Sequence, residues 1–324
     1  MRNTIYLLLL SLTFFSCRKN KDIAIAEKSI SLDSLETLTT DIPNARYTDL
    51  TFITATTGFA ISAGFIVKTT DGGATWTSSP LPTSVSVKKV QFTDNLTGYI
   101  IGGNNASGVL FKTTDGGKNW IAINLKALEC PYGMYFLNNN TGFITGKNLF
   151  IKTTDGGQTW TSLNSNFRMF QDVCFRDKNK GYVTSNKGVA FRTTNGGISW
   201  DSLQCNATDY LYDIYFIDDK SYALQSSGGL VDFEHNNAVT PIPDESKQLY
   251  FFSSKKSFAI GYHYDSLGFF PHGDILITND GWKTSTQKNF TDVITFSTIA
   301  KMTDNKAMIL GSGFTGATVM ILTR

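Results

Sequence analysis

Three carboxylates recur in one local setting. Lys68–Trp76 reads KTTDGGATW, Lys112–Trp120 reads KTTDGGKNW and Lys152–Trp160 reads KTTDGGQTW, so Asp71, Asp115 and Asp155 each stand between a Thr and a Gly pair. A fourth copy at Arg192–Trp200, RTTNGGISW, carries Asn195, and a worn fifth at Ile277–Ser285, ITNDGWKTS, carries Asp280. Acids in series suggest two chemistries. Glycoside hydrolysis needs two carboxyl groups flanking one bond, and a hard cation needs several oxygens on one ion. The spacing argues against both, because Asp71, Asp115 and Asp155 lie 44 and 40 residues apart, each in its own turn. A structural role fits better. An Asp side chain accepts hydrogen bonds from nearby backbone N–H groups, and paired Gly residues supply positive φ. Trp76, Trp120, Trp160 and Trp200 then each bury a large apolar surface against a neighbouring sheet.

Other reactive types are sparse. His263 and His272 flank Tyr264 and Asp265 in the segment YHYDSLGFFPHG, residues 262–273. Only Asp265 offers a third ligand beside the two His, so no metal is expected there. No Ser/His/Asp set stands out, and no phosphate-cradling loop does. The Gly-Gly pairs follow the end of a strand and open no helix, so no nucleotide or other cofactor is implied.

The elements that carry these residues are repeats. Before each Asp motif lies a shorter one: Phe52…Gly58-Phe59, Phe92…Gly98-Tyr99, Phe136…Gly142-Phe143 and Phe175…Gly181-Tyr182. Weaker copies begin at Phe216, Phe251 and Met302, giving seven units spaced by 40, 44, 39, 41, 35 and 51 residues. Four short apolar stretches per unit at this period predict an all-β fold, a seven-bladed β-propeller of four-stranded antiparallel blades. Ser31–Leu35 resembles the outer-strand segment Ser199–Leu203, while the chain ends on a third-strand pattern at Val319–Arg324. An N-terminal strand is therefore expected to complete the last blade and remove its open edge.

Residues 1–16 read as a signal peptide: Arg2, an apolar stretch from Ile5 to Phe15, and Ser16 before Cys17. Ser16-Cys17 resembles a bacterial lipobox, a resemblance that implies lipidation of Cys17. Residues 17–29 would be the lipidated tether and residues 30–324 one propeller domain. The expected place is the bacterial cell envelope, with the outer membrane favoured and the membrane met through the lipid anchor only. Removing residues 1–16 subtracts Arg2 alone from a net charge of +2, leaving +1. That is too little for a nucleic-acid surface. Of the remaining cysteines, Cys130, Cys174 and Cys205 allow at most one bridge among themselves.

The Asp motifs match the Asp-box, or BNR, repeat. With TGF/TGY before each, the chain resembles the propeller family of photosystem II stability and assembly factors over residues 30–324. The resemblance implies a non-catalytic scaffold that binds a partner, expected here to be an envelope protein or a glycan, with the chain itself a monomer. In such propellers the Asp-boxes lie on one face, and the loops entering the first strand and joining the second to the third lie on the other. On that second face the pattern places Arg46, Tyr132, Phe167 and Arg168, then Tyr210 and Tyr212. The long sixth-unit loop adds His263, Tyr264, Asp265 and His272. A glycoside hydrolase of sialidase-like architecture is the alternative. It would need an Arg triad gripping a carboxylate, yet only Arg46 and Arg168 reach that face.

Overall fold

In the computed structural model the described residues are 30–31, 34–104, 107–125, 131–163, 169–207, 209–235, 239–243, 246–264, 271–313 and 316–324. They form seven four-stranded antiparallel sheets arranged as blades. A short N-terminal strand, β1 (Leu35–Leu38), comes first. Blade 1 is β2 (Asp49–Phe52), β3 (Gly58–Ser62), β4 (Phe65–Thr69) and β5 (Thr77–Pro80). Blade 2 is β6 (Ser86–Phe92), β7 (Gly98–Gly103), β8 (Gly108–Thr113) and β9 (Ile121–Asn124). Blade 3 is β10 (Pro131–Phe136), β11 (Gly142–Gly146), β12 (Leu149–Thr153) and β13 (Thr161–Ser162). Blade 4 is β14 (Phe170–Phe175), β15 (Gly181–Ser185), β16 (Val189–Thr193) and β17 (Asp201–Gln204). Blade 5 is β18 (Leu211–Ile217), β19 (Lys220–Gln225), β20 (Gly229–Asp232) and β21 (Val239–Thr240). Blade 6 is β22 (Ser246–Phe251), β23 (Ser257–Tyr264), β24 (Pro271–Thr278) and β25 (Thr286–Phe290). Blade 7 is β26 (Val293–Thr303), β27 (Lys306–Gly313) and β28 (Ala317–Thr323), with β1 as its outer strand.

Burial follows position in the blade. The first strands of successive blades contact one another and so gather at the axis. Second strands such as β3, β11 and β15 are buried at every position. They are covered by a neighbouring blade on each side, which explains runs such as GFAIS and GFITG in place of strict alternation. Outer strands such as β5 and β17 are exposed at most positions and polar, as edges facing water should be.

The Asp-box is a closed local network. In blade 1 Thr69 Oγ1 donates to Asp71 Oδ1 at 2.8 Å, and the Gly73 amide donates to Thr69 Oγ1 at 2.8 Å. Asp71 also accepts from the Thr75 amide at 3.0 Å and the Thr75 hydroxyl at 2.6 Å. The pattern repeats around Asp115, Asp155 and Asp280. Asn195 keeps it by donating from Nδ2 to Ser199 Oγ at 2.9 Å. The second Gly of the pair has two duties. Gly117 has φ of 78°, and a Cβ there would meet the Phe59 ring of the preceding blade at 2.6 Å. Gly197 meets Phe143 in the same way.

The Lys that opens KTTDGG locks adjacent blades, a role the motif alone did not disclose. Lys68 Nζ donates to the Gly116 carbonyl of blade 2 at 2.8 Å, and Lys112 Nζ to the Gly156 carbonyl of blade 3 at 2.9 Å. Each lies over the ring that the next Gly touches or its equivalent: Lys68 over Phe59 at 5.2 Å, Lys112 over Tyr99 at 5.5 Å and Lys152 over Phe143 at 5.3 Å.

Blades 5 and 6 solve the same contact differently. Asp232 pairs with Tyr222 where Lys112 pairs with Tyr99, so blade 5 has an acid at the Lys position. Phe233 stacks on Tyr182 of blade 4 at 4.9 Å, and Glu234 accepts from the Tyr182 hydroxyl at 2.5 Å and Lys180 Nζ at 2.7 Å. In blade 6 Trp282 occupies the second-Gly position at φ of 69°, with its amide still on Thr278 Oγ1 at 3.0 Å. Its ring is buried in the cluster that includes Tyr215, Leu224 and Leu276.

The N-terminal segment stitches three blades. Ile30 exchanges backbone hydrogen bonds with the Asn279 side chain of blade 6 at 2.8 and 2.9 Å. β1 pairs with β28 from Leu35↔Leu322 to Leu38↔Val319. Asp41 Oδ1 accepts the Trp76 amide of blade 1 at 2.7 Å. The strand begins four residues later than the Ser31–Leu35 pattern suggested, and Leu35 and Leu38 pack against the neighbouring core clusters. Cys174 is disulfide-bonded and Cys205 is a buried free thiol, while Cys17 and Cys130 lie outside the described residues.

Two outcomes follow from these contacts. Deleting residues 24–41 opens blade 7 and should lower the thermal midpoint by well over 5 °C, read by circular dichroism; an unchanged midpoint would contradict the seam. The side-chain hydroxyl of Thr75, with its amide, holds Asp71 down to about 2, the Asn119 groups do the same for Asp115, and Asp155 and Asp280 follow with Thr159 and Thr284. Folding lowers these pKa values, so their stabilisation is complete above the unfolded value of about 4 and is lost as pH falls towards about 2. The urea midpoint should fall over that window, and the fall should shrink in Asp155→Asn, whose geometry Asn195 already demonstrates.

Candidate functional site

The first strands start on the face opposite the Asp-boxes, and their side chains three residues before the Phe-type position ring the axis. Those residues are Asp49, Lys89, Gly133, Asp172, Asp213 and Gln248, with Thr298, four before Met302, at the equivalent register position opposite Leu310 in blade 7. Three of them staple one blade to the next. Asp49 Oδ2 accepts the Val90 amide at 2.9 Å, Asp172 Oδ2 accepts the Ile214 amide at 3.4 Å, and Gln248 Oε1 accepts the Ile299 amide at 2.8 Å. Between blades 5 and 6 the Tyr215 hydroxyl substitutes, accepting the Leu249 amide at 3.2 Å and donating to Asp213 Oδ2 at 3.2 Å.

Blades 2 to 4 break this pattern. Lys89 has no acceptor to offer blade 3. Its ammonium instead passes over blade 3 to form an ion pair with Asp172 of blade 4. Gly133 makes that crossing possible: a Cβ there would lie 2.5 Å from Thr145 Oγ1 and 2.9 Å from the Asp172 Cα. Burial works against the Lys89 charge, but Asp172, Asp213 and Asp49 outweigh it and raise its pKa, so Lys89 stays protonated.

A cavity of about 170 Å³ opens here, lined by Lys88, Lys89, Tyr132, Gln171, Asp172, Tyr212 and Asp213. Beside it the Tyr210 and Tyr212 rings stack at 6.2 Å with an interplanar angle of 16°, and they are 40% and 41% exposed. Large aromatics left half in water at a cavity rim are the usual anchors of binding surfaces.

The site residues expected from the sequence divide into four groups, the last of them on the sixth-unit hairpin. Tyr132 and Tyr212 line this cavity with Tyr210 beside them, although Tyr132 and Tyr212 lie on β10 and β18 and not in the preceding loops. Arg46 is exposed on the connection into blade 1, its carbonyl accepting from Ser62 Oγ at 3.0 Å, and it is not among the cavity residues. Phe167, Arg168 and Asp265 lie outside the described residues.

The sixth-unit loop is shorter than the sequence implied. β23 runs through Tyr264 and β24 starts at Pro271, so His263 and His272 are directly opposed strand residues. His263 Nδ1 lies 2.6 Å from Asp274 Oδ2, a fully buried carboxylate, and the two His rings are 5.6 Å apart. Asp274 is the residue that sequence reasoning missed; its period-two relation to His272 was the available signal. Tyr264 is 55% exposed and meets Tyr262 edge to face at 5.9 Å. Among the described residues no group of three His, Cys, Asp or Glu side chains is placed to hold a metal ion. Arg176 donates to the Asp218 and Asp219 carbonyls on the Asp-box face, so its guanidinium serves the blade 4–5 seam.

Fold and site together define an Asp-box propeller with an irregular, aromatic-rimmed channel mouth. Residues 28–128 match the family model described as photosynthesis system II assembly factor YCF48. Over nearly the whole chain the fold is similar to solved structures of that kind. YCF48 bound to D1 peptide superposes with a TM-score of 0.69 at 18% identity, covering 91% of this chain and 99% of the other. YCF48 from Cyanidioschyzon merolae gives 0.67 at 17% identity, covering 89% and 98%. An enzyme shares the architecture at greater distance: the Niastella koreensis GH74 structure gives 0.60 at 12% identity, covering 86% of this chain and 53% of the other. No curated protein matches the chain in sequence.

The crossing ion pair can be measured. Lys89→Met strands the Asp172 carboxylate and should cost about 3 kcal/mol in urea unfolding, the lower end for breaking a buried pair. Lys89→Met combined with Asp172→Leu should recover more than half of that loss. Equal destabilisation by single and double variants would show that the pair is not the constraint.

Proposed function

We propose that this chain is an exported, lipid-anchored, non-catalytic propeller that docks a protein partner on the channel-mouth face. The observation that carries the reading is the exposed Tyr210–Tyr212 stack beside the cavity lined by Tyr132, Lys88 and Asp213. A stacked pair loses little side-chain freedom on binding and presents both apolar faces and hydroxyl groups. The solved YCF48 with a D1 peptide supports a protein ligand for a propeller of this shape. The neutral overall balance of the mature chain supports a partner met by shape and aromatic contact more than by long-range charge. On this reading residues 1–16 are a signal peptide, Cys17 is lipidated and residues 17–29 tether the domain, residues 30–324, to a membrane surface of the cell envelope. Arg46, Tyr264, His263 and His272, with Phe167, Arg168 and Asp265, would extend the docking face around the mouth.

The decisive test is chemical crosslinking in the native envelope followed by purification, wild type against Tyr210→Ala/Tyr212→Ala. The expected result is a defined protein crosslinked by wild type and lost from the variant, while the two melt within 2–3 °C of each other. An identical set of crosslinked proteins would overturn the assignment of this face, and a glycan retained in place of protein would overturn the protein partner. Cys17→Ser should move the protein from the membrane pellet to the soluble envelope fraction; retention in the pellet would remove the lipid anchor.

A further inference from the structure

The cavity at the channel mouth has a charge and a size that select a ligand group. This step rests on the docking reading above and names what the partner must present.

Size comes first. At about 170 Å³ the cavity is well below the volume of about 300 Å³ where drug-sized pockets begin. It suits the end of one long side chain and not a whole small molecule.

Charge comes second. The floor contains one ammonium, Lys89, and it is already committed to Asp172. Asp213 lines the same cavity, and Asp49 lies close enough to act on Lys89 as well. Three carboxylates therefore act on one half-buried cation. The second oxygen of Asp172 accepts the Ile214 amide in a blade staple, so it has little left for a ligand. Asp213 differs. It is half-buried, and its hydrogen bond from the Tyr215 hydroxyl is at the long limit for O–H···O at 3.2 Å. An excess carboxylate in a partly desolvated cavity gains most from a cation brought to it.

The walls are the third element. Tyr132 and Tyr212 both line the cavity, with Tyr210 stacked on Tyr212. Aromatic faces attract cations within about 6 Å, and this protein already uses that contact at Lys68, Lys112 and Lys152. Lys88 is exposed at the rim and disfavours a second cation there, which restricts the site to a single basic group.

The geometry points to a Lys or Arg side chain of the partner, inserted between Tyr132 and Tyr212 with its cation against Asp213. A partner segment with one basic residue in an otherwise uncharged stretch fits this mouth; an acidic segment does not.

Nuclear magnetic resonance titration of the full mature chain tests this with defined probes. N-acetyl-lysine methylamide and N-acetyl-arginine methylamide should shift the Gly133, Tyr212 and Asp213 amides saturably at millimolar concentration. N-acetyl-norleucine methylamide, which keeps the length without the charge, should not. Asp213→Asn should weaken the lysine probe by on the order of tenfold, the loss of one charge-assisted hydrogen bond. Lys88→Ala should leave its affinity equal or improved. Raising the salt from 0.05 to about 0.5 M should weaken binding, as Debye screening requires. Equal shifts from the norleucine probe, preferred binding of N-acetyl-glutamate methylamide, or no saturable shift with any probe would overturn the basic-residue reading. If a Tyr210/Tyr212-dependent crosslinked partner persists alongside such a result, docking on this face stands and only the chemistry of its anchor falls.

Discussion

The ring depends on how each Asp-box turn sits beneath the preceding blade. A Gly with no side chain lets the turn approach an aromatic or aliphatic residue: Gly117 meets Phe59, Gly157 meets Leu110 and Gly197 meets Phe143. A Lys from the preceding blade then donates to a carbonyl of that same turn. The Asp does not reach across the seam. It stiffens the turn so that the Gly pair presents its carbonyl and its bare Cα in register. Apolar contact, cation–ring contact and hydrogen bonding thus act at a single point of the seams between blades 1 and 2, 2 and 3, and 3 and 4. Together they fix the angle between blades, and with it closure of the ring.

Blades 5 and 6 show that the contact is conserved in physical type even where the motif is lost. Phe233 offers a ring in place of a Gly, and Glu234 gathers the Tyr182 hydroxyl, Lys180 and the Ser221 hydroxyl in place of a carbonyl gathering one Lys. Burial opposes the Glu234 charge, but Lys180, Tyr182 and Ser221 outweigh it and lower its pKa. Trp282 accepts a left-handed backbone that disfavours its Cβ. Burying an indole compensates that strain. The Thr278–Asp280 hydrogen bonds survive unchanged beside it.

Much of this was legible in the sequence because it repeats. Phe…Gly-Phe followed by KTTDGG at a period near forty fixes strand order and turn positions, and the structure places seven blades on that frame. The role of the Lys was not legible, since its acceptor lies about forty-four residues away on another blade. The sixth-unit loop misled for a related reason. Tyr262-His263-Tyr264 and Pro271-His272 carry no Asp-box or Gly-pair signal, yet they continue β23 and β24 because the opposed His pair and Asp274 hold the hairpin together. The aromatic candidates Tyr132, Tyr210 and Tyr212 were found by position alone. Their partners Lys88, Lys89 and Asp213 were not, because inner-strand residues from four blades meet only once the ring is closed.

That last point accounts for where the site lies. Asp-box contacts, or their replacements in blades 5 and 6, occupy the lower ends of the blades. The upper ends of the inner strands meet a weaker demand: one acceptor per seam for one backbone amide. Asp49, Asp172 and Gln248 satisfy it with different side chains, and Tyr215 satisfies it with a hydroxyl relay. At blade 2 the demand moves to Gln91, whose Oε1 accepts the Phe136 amide of blade 3 at 2.7 Å, and Lys89 is left as a donor. Its charge must then be matched from two blades away across Gly133, and that crossing leaves the space between Tyr132, Gln171 and Tyr212 unfilled. The cavity is therefore a consequence of placing one cation and one bare Cα where the repeat would otherwise place acceptors. Both positions, on β6 and β10, lie away from the Asp-boxes, so the cavity forms without disturbing those turns.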